Sequence, residues 1–377
     1  MKIFFVNNFS PQEQIGGSEI QCWLLAKYLA KRGHQTAYLA LRGLAGQRQE
    51  LGDGFKVYYL AGENDNKLKI FINFYRLLKK EKPDICYIRI FKHLFLLNKI
   101  AKFLKIPIVF NTSHINDCQP DLEKIRFSLN PLKSLKSIRI VIQRHLNFST
   151  FKKINIVTIN KYQAKLLKER YRIEATPIYN SMEYKGEGRQ VKKEKRVVWA
   201  NNIKGRKKPE EFIWLVNQFK NSQYQFLMIG NIQSQSDYYE KMIGKCQREN
   251  SNFKYLGGKS PEEVDKFLAV SEILVNTCRP EGFGNNFTQA WFNKCPTITL
   301  NFDPDDIIKK NRIGFHSITR EQMKKDLQKL MDNGKLRIAM GERAKKYASK
   351  NHNIVNNVKI YEEKFKKIIY ESHNKKN

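Results

Sequence analysis

The chain is 377 residues long, 41% hydrophobic and 12% aromatic, which exceeds the usual size of one core and excludes a disordered or fibrous protein, so two domains are expected. With 69 Lys+Arg against 36 Asp+Glu the formal net charge is +33, consistent with nucleic acid, an anionic membrane surface or Lys-rich solvated faces. The lysines are spread along the chain without an RNA-binding signature, zinc finger or basic arm, so nucleic acid is not expected as a partner and the other two readings stay open.

The opening MKIFFVNN turns polar too soon for a signal peptide and reads as a strand. No apolar run reaches the roughly 18 residues of a membrane span. A cytoplasmic protein is expected, with peripheral association to the inner membrane face as an extension. Further strands are expected at 36–40, 55–60, 84–90, 107–111 and 154–159, with helices at 18–31, 67–82 and 93–105 between them. This alternation predicts parallel sheet with crossover helices, which binds ligands at the carboxyl ends of its strands. The stretch MEYKGEGRQVKKEK has no apolar period and is assigned as a linker over 182–195. A second series follows at 196–200, 225–230, 253–256, 272–276 and 296–300, and helical segments from 320 to 372 close the chain. The expected division is 1–181, then 196–355, then a helix over 356–377 packing back on the first domain. Two segments rich in alternating basic and apolar residues, 67–80 and one beginning at 133–139, have the form of helices that lie in a headgroup region. Helices whose apolar stripe packs on a sheet read the same way.

Three loops carry chemistry. After the first strand comes Gly16-Gly17-Ser18-Glu19; glycines at a strand-to-helix turn admit a ligand to the backbone, and the helix start favours an anion. On the motif alone a ligand-free turn capped by Ser18 explains it better. The second domain opens with Asn201-Asn202-Ile203-Lys204-Gly205-Arg206-Lys207-Lys208-Pro209, a basic loop placed to clamp a diphosphate or simply a solvated one. The third is Arg279-Pro280-Glu281-Gly282-Phe283-Gly284-Asn285-Asn286-Phe287-Thr288-Gln289-Ala290-Trp291. A carboxylate before a helix can accept from sugar hydroxyls, and the helix start behind it suits phosphate. Asn285 and Gln289 lie one turn apart, so Gln289 could reach a ribose. A capped core helix with Phe287 and Trp291 packed inward fits the same pattern.

The order of these loops, together with Ile178-Tyr179-Asn180-Ser181, Tyr255-Leu256-Gly257-Gly258 and Pro296-Thr297-Ile298-Thr299, resembles glycosyltransferase family 4 over nearly the whole chain. The resemblance implies an α/β GT-B fold: two Rossmann-like doubly wound domains facing a cleft, with C-terminal helices. It implies a retaining, metal-independent transfer of a hexose-type sugar from a nucleotide-diphosphate sugar, a UDP-sugar by expectation, with no cofactor. The acceptor would be a glycan or polyprenyl-linked molecule of cell-envelope polysaccharide synthesis. Glu281 would contact the donor sugar and His114 would stand near it. Gly16, Gly17, Arg206, Lys207, Gly282, Phe283, Gly284, Asn285 and Gln289 would bind the donor. Two positions depart from the family pattern: Gln289 replaces the second acidic residue, and Asn202 replaces an arginine. Gln289→Glu is expected to be tolerated, since either group accepts from a hydroxyl. Asp303-Pro304-Asp305 spells a metal-binding string of a different glycosyltransferase fold, and its late position marks it as coincidence. The six cysteines form no Cys-x-x-Cys pair, so neither zinc nor a disulfide framework is expected. A sugar-nucleotide epimerase of the same architecture and an anionic-polymer binding protein are the rival readings.

Overall fold

Short strands that are apolar on both faces need helices on both sides, and that requirement is met twice along the chain. The computed structural model describes residues 1–14, 16–118, 131–184, 191–280 and 282–374, the side chains of 131–136 excepted. It divides into Met1–Glu183 with Ile354–Asn377, and Tyr184–Asn353. The boundary after the second unit therefore falls two residues before the expected 356. Of the expected linker, 185–190 lie outside the described residues, and 194–195 already belong to a strand.

The first unit runs β1 (Lys2–Asn7), α1 (Gly17–Lys31), β2 (Gln35–Ala40), β3 (Arg48–Leu51), β4 (Lys56–Tyr59), α2 (Lys67–Glu81) and β5 (Ile85–Ile88). It continues with α3 (Leu94–Phe103), β6 (Ile108–Asn111), α4 (Pro131–Ser149), β7 (Asn155–Thr158), α5 (Lys161–Tyr171) and β8 (Thr176–Pro177). The strands form one sheet in the order β3-β4-β2-β1-β5-β6-β7-β8; β3 alone runs antiparallel to its neighbour.

The second unit runs β9 (Glu194–Ala200), α6 (Pro209–Asn217), β10 (Gln225–Ile229), α7 (Ser236–Glu249), β11 (Phe253–Tyr255), α8 (Pro261–Val270) and β12 (Ser271–Asn276). There follow α9 (Asn285–Phe292), β13 (Thr297–Thr299), α10 (Ile307–Asn311), β14 (Gly314–His316), α11 (Arg320–Asp332) and α12 (Gly334–Asn351). Its parallel sheet has the order β11-β10-β9-β12-β13-β14. The last helix, α13 (Ile354–Asn374), belongs to the first unit.

Alternation along β1 shows how the first sheet is covered. Phe4 and Val6 face a core shared with Ile70, Phe74 and Leu78 of α2 and Leu94 and Leu97 of α3. Ile3 and Phe5 face the opposite core, with Cys22, Leu25 and Leu29 of α1 and Tyr361, Phe365 and Ile368 of α13. The apolar stripe of the basic segment 67–80 is thus spent on the sheet. On α4 the outcome differs: Ile138, Ile140, Ile142 and Leu146 remain 43%, 43%, 54% and 38% exposed. The second unit has its own core around Trp199, Phe212, Phe226, Ile273 and Ile298. Among the described residues no helix is long and apolar enough to cross a membrane.

Candidate functional site

In the first unit the loops after β1, β5 and β6 converge. Gly16 is the residue before the first turn of α1, in extended conformation, so Ser18 is not the helix cap. Ser18 Oγ instead accepts from Asn7 Nδ2 at 3.1 Å and lies 3.2 Å from Ser113 Oγ, joining the ends of β1 and β6. A Cβ placed on Gly16 would stand 2.2 Å from Glu19 Oε2. The Glu19 carboxylate therefore covers the glycine turn, and it also accepts from its own backbone N–H. Burial raises the Glu19 pKa, while its backbone hydrogen bond and Arg89 oppose the rise. Gly17 is exposed.

His114 opens the turn Ile115–Asp117. Its Nδ1 accepts from Asn116 N at 3.0 Å, and Asp117 Oδ2 accepts from Ser113 N at 2.7 Å and His114 N at 2.9 Å. An Nδ1 that accepts places the neutral ring's proton on Nε2. Arg89, which the sequence reading passed over, follows β5 and is 6% exposed. Its Nη2 reaches Asn180 Oδ1 at 3.4 Å, and its Nε has no acceptor among the described residues. Arg89 also lines a cavity of about 10 Å³ with Gln21, Tyr87, Asn180 and Tyr361, about the room of one water. Asp117 is raised by burial, and hydrogen bonds from Ser113 and His114 followed by Arg89 resist it. Glu19 and Asp117 are thus carboxyls whose charged form the buried Arg89 favours.

In the second unit the basic loop and the third loop are laced together. Residues Gly205–Lys207 form a single tight turn, and Lys208 takes a left-handed conformation at φ 52 before Pro209 starts α6. Thr277 Oγ1 lies 2.9 Å from Lys207 O and 2.8 Å from Lys208 O, within donating reach of both. Arg279 N donates to Arg206 O at 3.0 Å, and Arg206 Nη2 donates back to Pro280 O. Asn286 Nδ2 donates to Ala200 O at 3.0 Å, tying the start of α9 to the end of β9. Gly230, at φ 148, lets β10 end against this loop: a Cβ there would be 1.8 Å from Asn201 O. Lys208 is paired with Glu210 at 2.9 Å, so the loop's four cations are not equivalent.

Glu281 lies outside the described residues. Gly282 and Gly284 are buried and Asn285 half-buried. Gly284 precedes the first turn of α9, a turn without an acidic residue. Phe283 is 8% exposed, in ring contact with His352, Trp291 and Phe287; a ligand would meet its backbone, not its ring. Gln289 Nε2 donates to Pro261 O at 3.0 Å, which leaves Oε1 as the atom available to accept. Asp303 accepts from Ile308 N at 2.9 Å and Lys309 N at 3.0 Å, so its carboxylate caps α10. Gly16, Gly17 and His114 thus belong to the first unit, and Arg206, Lys207, Gly282, Phe283, Gly284, Asn285 and Gln289 to the second.

Two family models match consecutive halves of the chain: Glycosyltransferase Family 4 over residues 15–182 and Glycosyl transferases group 1 over residues 181–347. No curated protein sequence matches the chain. Among solved structures, sucrose-phosphate synthase from Thermosynechococcus elongatus superposes with a TM-score of 0.75 at 12% identity, covering 98% of this chain and 99% of that one. HepE of Anabaena, in complex with UDP-glucose, gives 0.70 at 14% identity, covering 97% and 100%. WaaG, a glycosyltransferase involved in lipopolysaccharide biosynthesis, gives 0.66 at 16% identity, covering 93% and 95%. These likenesses carry the fold, which is GT-B.

Proposed function

The chain belongs to glycosyltransferase family 4, and from that premise we propose that it moves a hexose-type sugar from a UDP-sugar to a glycan or lipid-linked acceptor of envelope polysaccharide synthesis, retaining the anomeric configuration without a metal. The observation that carries this reading is the lacing of two loops in the second unit. Thr277 holds the carbonyls of Lys207 and Lys208, while Arg206 holds Pro280. A cationic turn and a glycine-bracketed helix start are thereby fixed side by side at strand ends, an arrangement suited to a diphosphate.

Two further points support the donor class. The Anabaena neighbour was solved with UDP-glucose, and the neutral His114 ring, whose Nδ1 accepts from Asn116 N, carries its proton on Nε2, a group of the kind that binds sugar hydroxyls. In this reading the leaving diphosphate takes the acceptor proton, and the protein orients the sugar and stabilises developing phosphate charge. Lys207 and the first-turn amides of α9 supply that stabilisation, and Glu281 holds the sugar. Peripheral membrane binding belongs to the same proposal. It is supported by the exposed α4 stripe Ile138, Ile142 and Leu146, spaced one turn apart beside Arg139.

The test is a screen of nucleotide sugars for released nucleotide, with and without glycan acceptors, on the wild type and Glu281→Ala. Acceptor-dependent release from a UDP-sugar, lost in the variant, supports the reading. Conversion of donor to an epimer without an acceptor would establish the epimerase instead. A metal requirement for transfer would remove metal independence, and vesicle flotation tests the membrane clause. Equal binding to neutral and anionic vesicles would defeat it.

A further inference from the structure

Arg89 is a buried cation to which the proposed transfer gives no work. It follows β5, is 6% exposed and lies within the first unit. Its Nη2 reaches Asn180 Oδ1 at 3.4 Å, and its Nε has no acceptor among the described residues. The two carboxyls of its neighbourhood are engaged elsewhere. Asp117 Oδ2 accepts from Ser113 N at 2.7 Å and His114 N at 2.9 Å, and Glu19 accepts from its own N–H. Among the described residues neither makes an ion pair with Arg89. A guanidinium taken out of water without such a partner is costly to the fold.

The guanidinium borders a cavity of about 10 Å³, whose other walls include Gln21, Tyr87, Asn180, Ser181 and Tyr361. The polar groups there are matched unevenly. Tyr361 Oη accepts from Asn111 Nδ2 at 2.8 Å and lies 3.4 Å from Tyr87 Oη. One phenol can donate to the other, so one phenolic proton is left without an acceptor among the described residues. The side-chain acceptors are taken: Gln21 Oε1 accepts from Ser181 N at 2.7 Å, and Asn180 Oδ1 faces Arg89. Ser181 O in turn accepts from Gln21 Nε2 at 2.7 Å. The walls therefore offer surplus donors beside a positive charge. A water placed there would have to give its two protons to acceptors already in use, whereas an anion only accepts. The volume is about that of one water, which admits a monatomic anion and shuts out phosphate, sulfate and any sugar phosphate.

We propose that this cavity binds a single chloride ion, held by the Arg89 guanidinium and a hydroxyl of the Tyr87–Tyr361 pair. The site is independent of the glycosyltransferase reading. Tyr361 belongs to α13, Gln21 to α1, and Arg89 follows β5, so the ion ties the last helix to the sheet it covers, and the docking of α13 depends on chloride.

The experiment has two arms. Full-length protein is crystallised in sodium bromide, whose anion substitutes for chloride and is located by its anomalous scattering. The expected result is one bromide within hydrogen-bonding distance of Arg89. Thermal unfolding is then followed in sodium chloride and in sodium gluconate at equal ionic strength. A chain of net charge +33 gathers anions over its whole surface, so the comparison that counts is with Arg89→Met and Tyr361→Phe. Wild type should melt a few degrees higher in chloride, the gain saturating as one site fills. Arg89→Met should lose that saturating gain, and Tyr361→Phe, which keeps the ring and the guanidinium, should keep part of it. A water at Arg89 in the bromide crystals overturns the site, whatever the melts show. Bromide at Arg89 with a chloride gain equal in wild type and both variants would keep the site and overturn its hold on α13.

Discussion

The indole N–H of Trp199 donates to the hydroxyl of Thr277 at 2.8 Å, in a fully buried contact. That hydroxyl then has one proton to share between the carbonyls of Lys207 and Lys208. The core of the second unit is therefore wired to its cationic turn through a single oxygen. Thr277→Val keeps the shape and removes that oxygen, leaving the indole unsatisfied and taking a donor away from the turn's carbonyls. The expected cost is about 1–3 kcal/mol of unfolding free energy, with KM for the nucleotide sugar raised several-fold and kcat changed less. Denaturant unfolding and steady-state kinetics check it, and a variant unchanged in both would show that Thr277 does not hold the loop.

Arg206 and Lys207 look interchangeable in the sequence, and the structure gives them different work. Arg206 spends Nη2 on Pro280 O, so Arg206→Ala should loosen that stretch and speed amide exchange at Arg279, Gly282 and Phe283. Lys207→Ala should leave that exchange as it is and weaken UDP binding about tenfold relative to uridine. Equal losses for UDP and uridine in the Lys207 variant would mean that this side chain shapes the loop and does not clamp phosphate.

The strand–helix rhythm could be read from the sequence because the central strands are apolar on both faces and the helices between them are amphipathic, so both unit cores follow from periodicity. The elements it missed lack that signal: β3 is the polar string RQEL paired antiparallel at an edge, while β8 has two residues and β14 three. At the site, glycines and cations announce themselves, but a buried arginine does not. Arg89 reads as one more basic residue in a chain of net charge +33, and only the fold brings it against Asn180 and beside Glu19 and Asp117. Phe283 fails in the opposite sense, since a motif position says nothing of which way its ring turns.

Gln289 illustrates the same gap with a measurable consequence. Read as a ribose contact, it should accept glutamate without penalty. In the structure its amide N–H₂ faces the Pro261 carbonyl at the start of α8, and a glutamate would set a carboxylate against that oxygen. Gln289→Glu is therefore expected to lose about 1 kcal/mol of stability, seen as a lower thermal midpoint. Gln289→Met, which loses the hydrogen bond without the repulsion, should fall between. A Glu variant as stable as wild type would show that the Pro261 contact is dispensable.

The attachment of α13 to the first unit should be sensitive to acid, and the sign follows from one carboxylate. Glu362 accepts from Arg32 Nε at 2.6 Å and Lys366 Nζ at 2.7 Å, and its Oε1 lies 3.2 Å from His34 Nε2. The Lys366 hydrogen bond, followed by those of Arg32 and His34, outweighs burial and lowers its pKa from 4.5 to about 2. A carboxylate depressed in the folded state contributes stability that is present above pH 4.5 and is lost as the pH falls from 4.5 toward 2. His34 adds to this from higher pH. Burial is the main cause lowering its pKa from 6.5, so the folded state begins to lose its share once the pH drops below 6.5. Calorimetry on wild type and Glu362→Gln should then show a thermal midpoint a few degrees lower in the variant at pH 7. The gap should close between about pH 4.5 and pH 2, where the wild-type carboxylate is protonated too. A gap of constant size from pH 7 to the acid limit would mean that Glu362 holds α13 by shape and not by charge.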